Sequence, residues 1–169
     1  MVPTFGTNST DSPRGGRLPS KREPEVIVVT HIGPTDRRGL RVLSMDECLL
    51  LLRGAAMGRL GFVHHGEPEV LPINFGMDGA SPVFRSTWGS KLDTASVGGL
   101  VALEADDVNL HTRRAWSVVV KGPAVIEYGD GEIARYETLG VPSWLRDDTD
   151  TFWVRVLPES VTGRELDLP

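Results

Sequence analysis

Phe152-Trp153-Val154-Arg155-Val156-Leu157 alternates as a strand with one face turned inward does. β-prone segments recur earlier, at 58–64, 70–77, 82–84, 100–104 and 116–128. Turn signals separate several of them. Gly66-Glu67-Pro68 lies between the first two, and Asp78-Gly79, a pair suited to the positive φ values of a tight hairpin, leads into Val83-Phe84. Lys121-Gly122-Pro123 interrupts the longest segment and predicts a bulge or a barrel corner. Pro72 removes a ladder donor from its strand, which is therefore expected either at a sheet edge or with its backbone towards a ligand.

Helical pattern is brief. Ser44-Met45-Asp46-Glu47 has the form of a capping box, Leu49 to Leu52 follow, and Gly54 is a natural stop. Further short helices are expected from Ser90 to about Val97 and over 132–139. There is no βαβ rhythm and no internal repeat. Together these elements predict a mainly β (α+β) domain over 40–166, an antiparallel barrel of about six strands. Residues 1–35, rich in Pro, Gly, Ser and charge, read as a disordered or extended tail in which only 26–29 is β-prone. Residues 161–164, after Pro158, read as a closing tail.

Composition narrows the class. The chain has 169 residues, 40% hydrophobic and 24% charged, which is the balance of a soluble globular protein. A net charge of −5 argues against a nucleic-acid binder. The single cysteine, Cys48, has no internal disulfide partner, the first twenty residues lack the apolar core of a signal peptide, and no apolar run approaches a membrane span. A cytoplasmic protein without a membrane partner is expected.

The candidate chemistry lies at Phe84-Arg85-Ser86-Thr87-Trp88-Gly89-Ser90-Lys91-Leu92. An apolar run ends in a guanidinium and three hydroxyls, Gly89 breaks the chain, and a helix begins. That order aims donors at one point, where a phosphate would be favoured by side chains and by the helix start. Arg85 can grip two phosphate oxygens at once, and Lys91 supplies a point charge. The alternative is an ordinary capped turn with Ser90 as N-cap and Arg85 in solvent.

Four segments, in this order, carry a family likeness: Met57-Gly58-Arg59-Leu60-Gly61, Val70-Leu71-Pro72-Ile73-Asn74-Phe75, the 84–92 segment, and Ala115-Trp116-Ser117-Val118-Val119-Val120-Lys121-Gly122. Leu103-Glu104-Ala105-Asp106 and Thr162-Gly163-Arg164 add to it. From about Leu43 to Arg164 the chain resembles the pyridoxamine 5′-phosphate oxidase-like flavoproteins, in particular their short actinobacterial and nitroimidazole-resistance-like branch. The resemblance implies an FMN-binding split barrel, a homodimer with a flavin in each of two shared clefts, and oxidoreductase activity on a small molecule. It implies that Arg85, Ser86, Thr87, Ser90 and Lys91 hold the FMN phosphate, that Pro72, Ile73, Asn74 and Phe75 lie along the isoalloxazine ring, and that Trp116 and Ser117 sit near the cleft. Trp116 as a core aromatic, and Arg59 as a solvated strand residue, are the alternatives at those positions. Deazaflavin or haem are alternative cofactors, and a non-enzymatic flavin- or haem-binding regulatory module is the rival function.

Two departures bear on activity. The vitamin-forming members end in a basic Arg-Leu-Ala-Pro motif, whereas this chain ends Gly163-Arg164-Glu165-Leu166-Asp167-Leu168-Pro169, so pyridoxal phosphate synthesis is not expected. Nitroimidazole-resistance members tend to carry histidine where this chain has Arg85. Elsewhere, His64-His65 are strand neighbours pointing to opposite faces and cannot chelate one ion together. No metal site is expected from His31, His111 or Cys48, and Asp106-Asp107 and Asp147-Asp148-Asp150 read as loop acids. Trp144 and Trp153 read as core or dimer packing.

Overall fold

A computed structural model of the chain describes residues 33–142 and 150–168. The expectations for the 26–29 patch, His31, Trp144 and Asp147-Asp148 fall outside these residues.

In chain order the elements are β1 (Arg41–Val42), α1 (Met45–Gly54), β2 (Met57–His64), β3 (Glu67–Asn74), β4 (Gly76–Asp78), β5 (Ser81–Ser86), α2 (Ser90–Ser96), β6 (Leu100–Asn109), β7 (Arg114–Glu127), α3 (Asp130–Glu137), β8 (Phe152–Val156) and β9 (Ser160–Asp167). Neighbouring strands run β3-β2-β6-β7-β8-β5-β4, with β9 against both β7 and β1, and every pairing is antiparallel. The class is as expected, a split barrel with short helices. The described residues hold nine strands, not six. Two of the extra ones are the short β1 and the separate β4.

The third, β9, replaces the expected closing tail, and 121–123 holds no bulge: β7 stays in unbroken register with β6 through Lys121, Gly122 and Pro123 and instead changes partner on its other edge. Along one edge of β7, β9 pairs with Arg114 to Lys121 and β8 with Ala124 to Glu127. Between them the β8–β9 connection crosses at Gly122: Leu157 N–H donates to Pro123 O (2.9 Å) and Glu159 N–H to Lys121 O (2.8 Å). A Cβ on Gly122 would lie 1.8 Å from the Leu157 carbonyl oxygen. The barrel divides here because only a residue without a side chain lets two strands change over against a third.

β2 and β3 form a hairpin closed by the His64↔Glu67 pair, so the turn is His65-Gly66, with φ of 50° and 84°. That is one residue earlier than the turn read from the sequence, and β3 begins at Glu67. The β4–β5 turn is Gly79-Ala80, also displaced by one from Asp78-Gly79. Among the described residues β3 pairs only with β2, so the edge-strand explanation of Pro72 holds. In such a hairpin, residues 68, 70, 72 and 74 point their backbone groups away from β2, so Pro68 and Pro72 cost the ladder no bond.

The capping box at α1 forms as read: Ser44 accepts from the Glu47 N–H, and Glu47 accepts from the Ser44 N–H at 2.7 Å. α1 buries Cys48 and Leu52. Arg41 bridges Glu47 and Glu165, tying the start of α1 to β9. Folded structure starts earlier than Leu40, because Pro34 O accepts from the Val42 N–H and Asp36 pairs with Arg164.

The main core collects Leu60, Phe62, Ile73, Phe75, Phe84, Leu92, Leu103, Val118, Val120 and Val154. A second cluster, Val83, Tyr136 and Trp153, lies on the other face of β5 and β8, covered by α3. No helix among the described residues is long and apolar enough to cross a membrane.

Candidate functional site

The candidate site follows from the two faces of β5. Phe84 and Ser86 face the main core, whereas Val83 and Arg85 face α3, because successive side chains of a strand point to opposite sides. The Arg85 guanidinium is ion-paired to Glu137 and stands over the Trp153 ring, 4.9 Å from its centroid. Glu137 also accepts from the Trp153 indole N–H at 3.0 Å. Arg85 Nε is buried without a hydrogen-bond partner. The structure therefore separates Arg85 from Ser86 and commits it to the α3 side.

The remaining donors follow one another along the turn after β5. Ser86 is buried, and its hydroxyl donates to the Thr87 carbonyl at 3.1 Å. Thr87, Ser90 and Lys91 are half-buried. Gly89, at φ 144°, is the N-cap of α2 and supplies no side-chain cap. Ser90 is thus not the N-cap; its hydroxyl donates to Glu69 on β3 at 2.8 Å. Lys91 makes no ion pair among the described residues. α2 spans only seven residues, so the positive character expected of a helix start is small here and side chains dominate.

The Ser90–Glu69 bond brings this turn against β3. Along β3, Ile73 is buried in the main core and Leu71 packs against it, while Pro72 is exposed. Asn74 donates to the Pro142 carbonyl at 3.0 Å. Phe75, just past β3, is buried. Trp116 packs partly against the main core, and Ser117 is half-buried beside it on β7. Neither has a hydrogen bond, ion pair or ring contact with the 86–91 turn among the described residues. Arg59 is bonded to Glu104 (3.0 Å) and Asp106 (2.5 Å) on the exposed face of β2 and β6.

Three residues that the sequence reading left without a role at this site stand out. Glu69 shares the inward phase of Leu71 and Ile73, a signal that period-two alternation carries. Glu137 gives no sign of its role, since its partner is 52 positions away. Trp88, inside the turn, is 68% exposed. His64 and His65 do not point to opposite faces as expected: His65 lies in the turn at φ 50°, and the two rings come within 3.9 Å between centroids, tilted by 57°. No group of three His, Cys, Asp or Glu among the described residues is arranged to hold a metal ion. Burial raises the pKa of the Cys48 thiol, which suits a packing residue.

A family model for pyridoxamine 5′-phosphate oxidase matches residues 44–165. The chain belongs to that family. An uncharacterised protein of Mycobacterium tuberculosis is 33% identical over 135 residues, covering 77% of this chain and 88% of that one. Among solved structures, an FAD-binding protein from Mycobacterium smegmatis is 34% identical with a TM-score of 0.64, over 74% of this chain and 98% of that one. An FAD-binding protein from Mesorhizobium loti is 26% identical with a TM-score of 0.65, over 75% and 96%.

The donor set of this family member can be tested against a flavin phosphate. A phosphate monoester carries roughly −1.5 to −2 charge near neutral pH and three acceptor oxygens. Ser86, Thr87 and Ser90 offer hydroxyls, and Lys91 offers a cation with no carboxylate holding it. The set fits in charge and donor type, provided the Ser90 hydroxyl turns from Glu69, and the buried Ser86 hydroxyl from the Thr87 carbonyl, to the phosphate.

Proposed function

We propose that the chain is a flavin-dependent oxidoreductase that works as a homodimer and passes electrons between a flavin and a small organic molecule. The observation that carries the reading is the meeting, at Ser90 and Glu69, of the hydroxyl-bearing turn with the unpaired edge of β3. One side of that seam can bind a phosphate; the other can offer backbone groups to a ring. The two FAD-binding relatives support a flavin as the ligand.

In this reading Ser86, Thr87, Ser90 and Lys91 hold the phosphate that FMN and FAD have in common. The outward backbone groups of Val70, Pro72 and Asn74 face the polar edge of the ring, while Ile73 and Phe75 anchor the strand from within. Trp116 and Ser117 belong to the second wall of the cleft. Arg85 acts from the other face of β5, where its contacts with Glu137 and Trp153 brace the strand that carries the turn. Bound flavin supplies the redox chemistry; the protein positions it and keeps water from the ring.

The dimer reading is supported by an apolar outer face across β3, β2 and β6. Val63, Val70 and Leu100 are 63%, 65% and 70% exposed there and line a groove of about 570 Å³. Single exposed apolar residues are ordinary, but a contiguous set marks an interaction surface.

The test is the visible spectrum of freshly purified full-length protein, with chromatography of the flavin released on denaturation. Oxidised-flavin bands that bleach under a chemical reductant and return with an electron acceptor are expected. A colourless protein that takes up neither FMN nor FAD would overturn the reading.

A further inference from the structure

We propose that Trp88, backed by Phe152, is a stacking platform for the adenine of FAD, and that it makes the site prefer FAD to FMN. The proposal rests on the flavin reading above and adds to it the half of the cofactor that FMN lacks. Trp88 sits in the middle of the turn, two residues after Ser86 and two before Ser90. It is 68% exposed, unlike Trp153, which is buried, and Trp116, which packs partly against the core. A large indole left in water at a hydroxyl-rich turn contributes little to the fold.

A ring contact with Phe152 explains how it is held. Phe152 meets Trp88 edge-on, with centroids 5.1 Å apart and planes at 68°. Phe152 is the register partner of Ser86 at the end of β5, so its ring is fixed by the strand pairing that also fixes the turn. An edge contact steadies the indole and leaves π surface uncovered. After Trp88, Gly89 at φ 144° turns the chain away into α2, in a conformation that residues with a Cβ rarely adopt.

The ligand chemistry follows from connectivity. FMN ends at its phosphate. FAD continues from that phosphate through a second one to adenosine, so its base emerges beside whatever flanks the phosphate seat. Adenine presents a flat π face that an exposed indole can stack on without any specific hydrogen bond. An aromatic next to the seat therefore strengthens binding of the dinucleotide and leaves the mononucleotide untouched.

The experiment measures dissociation constants of flavin-free protein for FAD and for FMN in the wild type, Trp88→Ala and Trp88→Phe, with oligomeric state followed by light scattering. The wild type is expected to bind FAD at least tenfold more tightly than FMN. Trp88→Ala should abolish that preference by weakening FAD alone, and Trp88→Phe should restore most of it. The fold should survive both changes, because most of the indole lies outside the core. Equal weakening of both flavins, or a dimer that dissociates while the FAD preference persists, would overturn the proposal and make Trp88 a turn or interface residue. So would a wild type that binds both flavins equally. A wild type that binds neither would overturn the flavin reading itself and this inference with it, an outcome distinct from the others.

Discussion

At the scale of single residues, alternation along β5 decides which cation can serve the turn. Arg85 and Lys91 are only six positions apart, yet Arg85 is held by Glu137 and Trp153 while Lys91 has no ion-pair partner among the described residues. Lys91→Ala is expected to weaken flavin binding about tenfold, ~1.4 kcal/mol, as loss of a charged donor should. Arg85→Ala should instead lower the melting temperature and change flavin affinity less. Titrating both variants with FAD and FMN distinguishes the roles; an Arg85→Ala loss larger than that of Lys91→Ala would restore the arginine to the phosphate. The strand period was legible in the sequence, and its phase separates the two cations: Phe84 inward requires Arg85 on the opposite face. A second residue-scale effect concerns acid. The Glu47 carboxyl is lowered from 4.5 to about 2, chiefly by the Ser44 backbone N–H and then by Arg41. A carboxyl lowered in this way stabilises the fold above its ordinary value, and that contribution disappears as pH falls from about 4.5 through about 2. Urea unfolding across that window should show a falling midpoint in the wild type, with a shallower fall in Glu47→Gln.

Elements were legible to the degree that their cause is local. The capping box of α1 is written in four adjacent residues, and it forms; Ser44→Ala should cost about 1 kcal/mol in chemical denaturation. Gly122-Pro123 marked a special point of β7, but what happens there is a change of partner with remote cause, not the bulge its sequence suggests. The changeover exists because β8 and β9 meet along one edge, and β9 itself was missed. Ser160–Asp167 buries only Gly163, so its sequence carries no run of inward apolar side chains. Its strand character comes from ladders to β1 and β7, made with residues more than thirty positions away. Gly122→Ala tests this account. A methyl 1.8 Å from a backbone oxygen cannot be absorbed by a rotamer change, so the strands must part. Destabilisation of about 3 kcal/mol or more is expected, at the upper end of overpacking, with loss of the near-ultraviolet tryptophan signal as the check.

For the whole molecule, the apolar outer face of β3, β2 and β6 yields the corresponding prediction. Leu100→Glu places a charge on that face, at the start of β6, where a partner would have to bury it. Light scattering should show the wild type as a dimer and the variant at half its mass, with secondary structure retained. A variant that stays dimeric would move the interface elsewhere. The antiparallel class and the family-bearing order of segments were visible in the chain because each strand announces itself over a few residues. Which strands are neighbours was not, since pairing such as β5 with β8 joins positions about seventy apart.

An exposed β edge is ordinarily a hazard, because its row of free donors and acceptors can capture a strand from another chain and begin a fibril. β3 escapes that fate through Pro68 and Pro72, which blank alternate outward donors and leave no continuous template for an incoming backbone. Among the described residues, an edge built in this way can stay unpaired without inviting polymerisation.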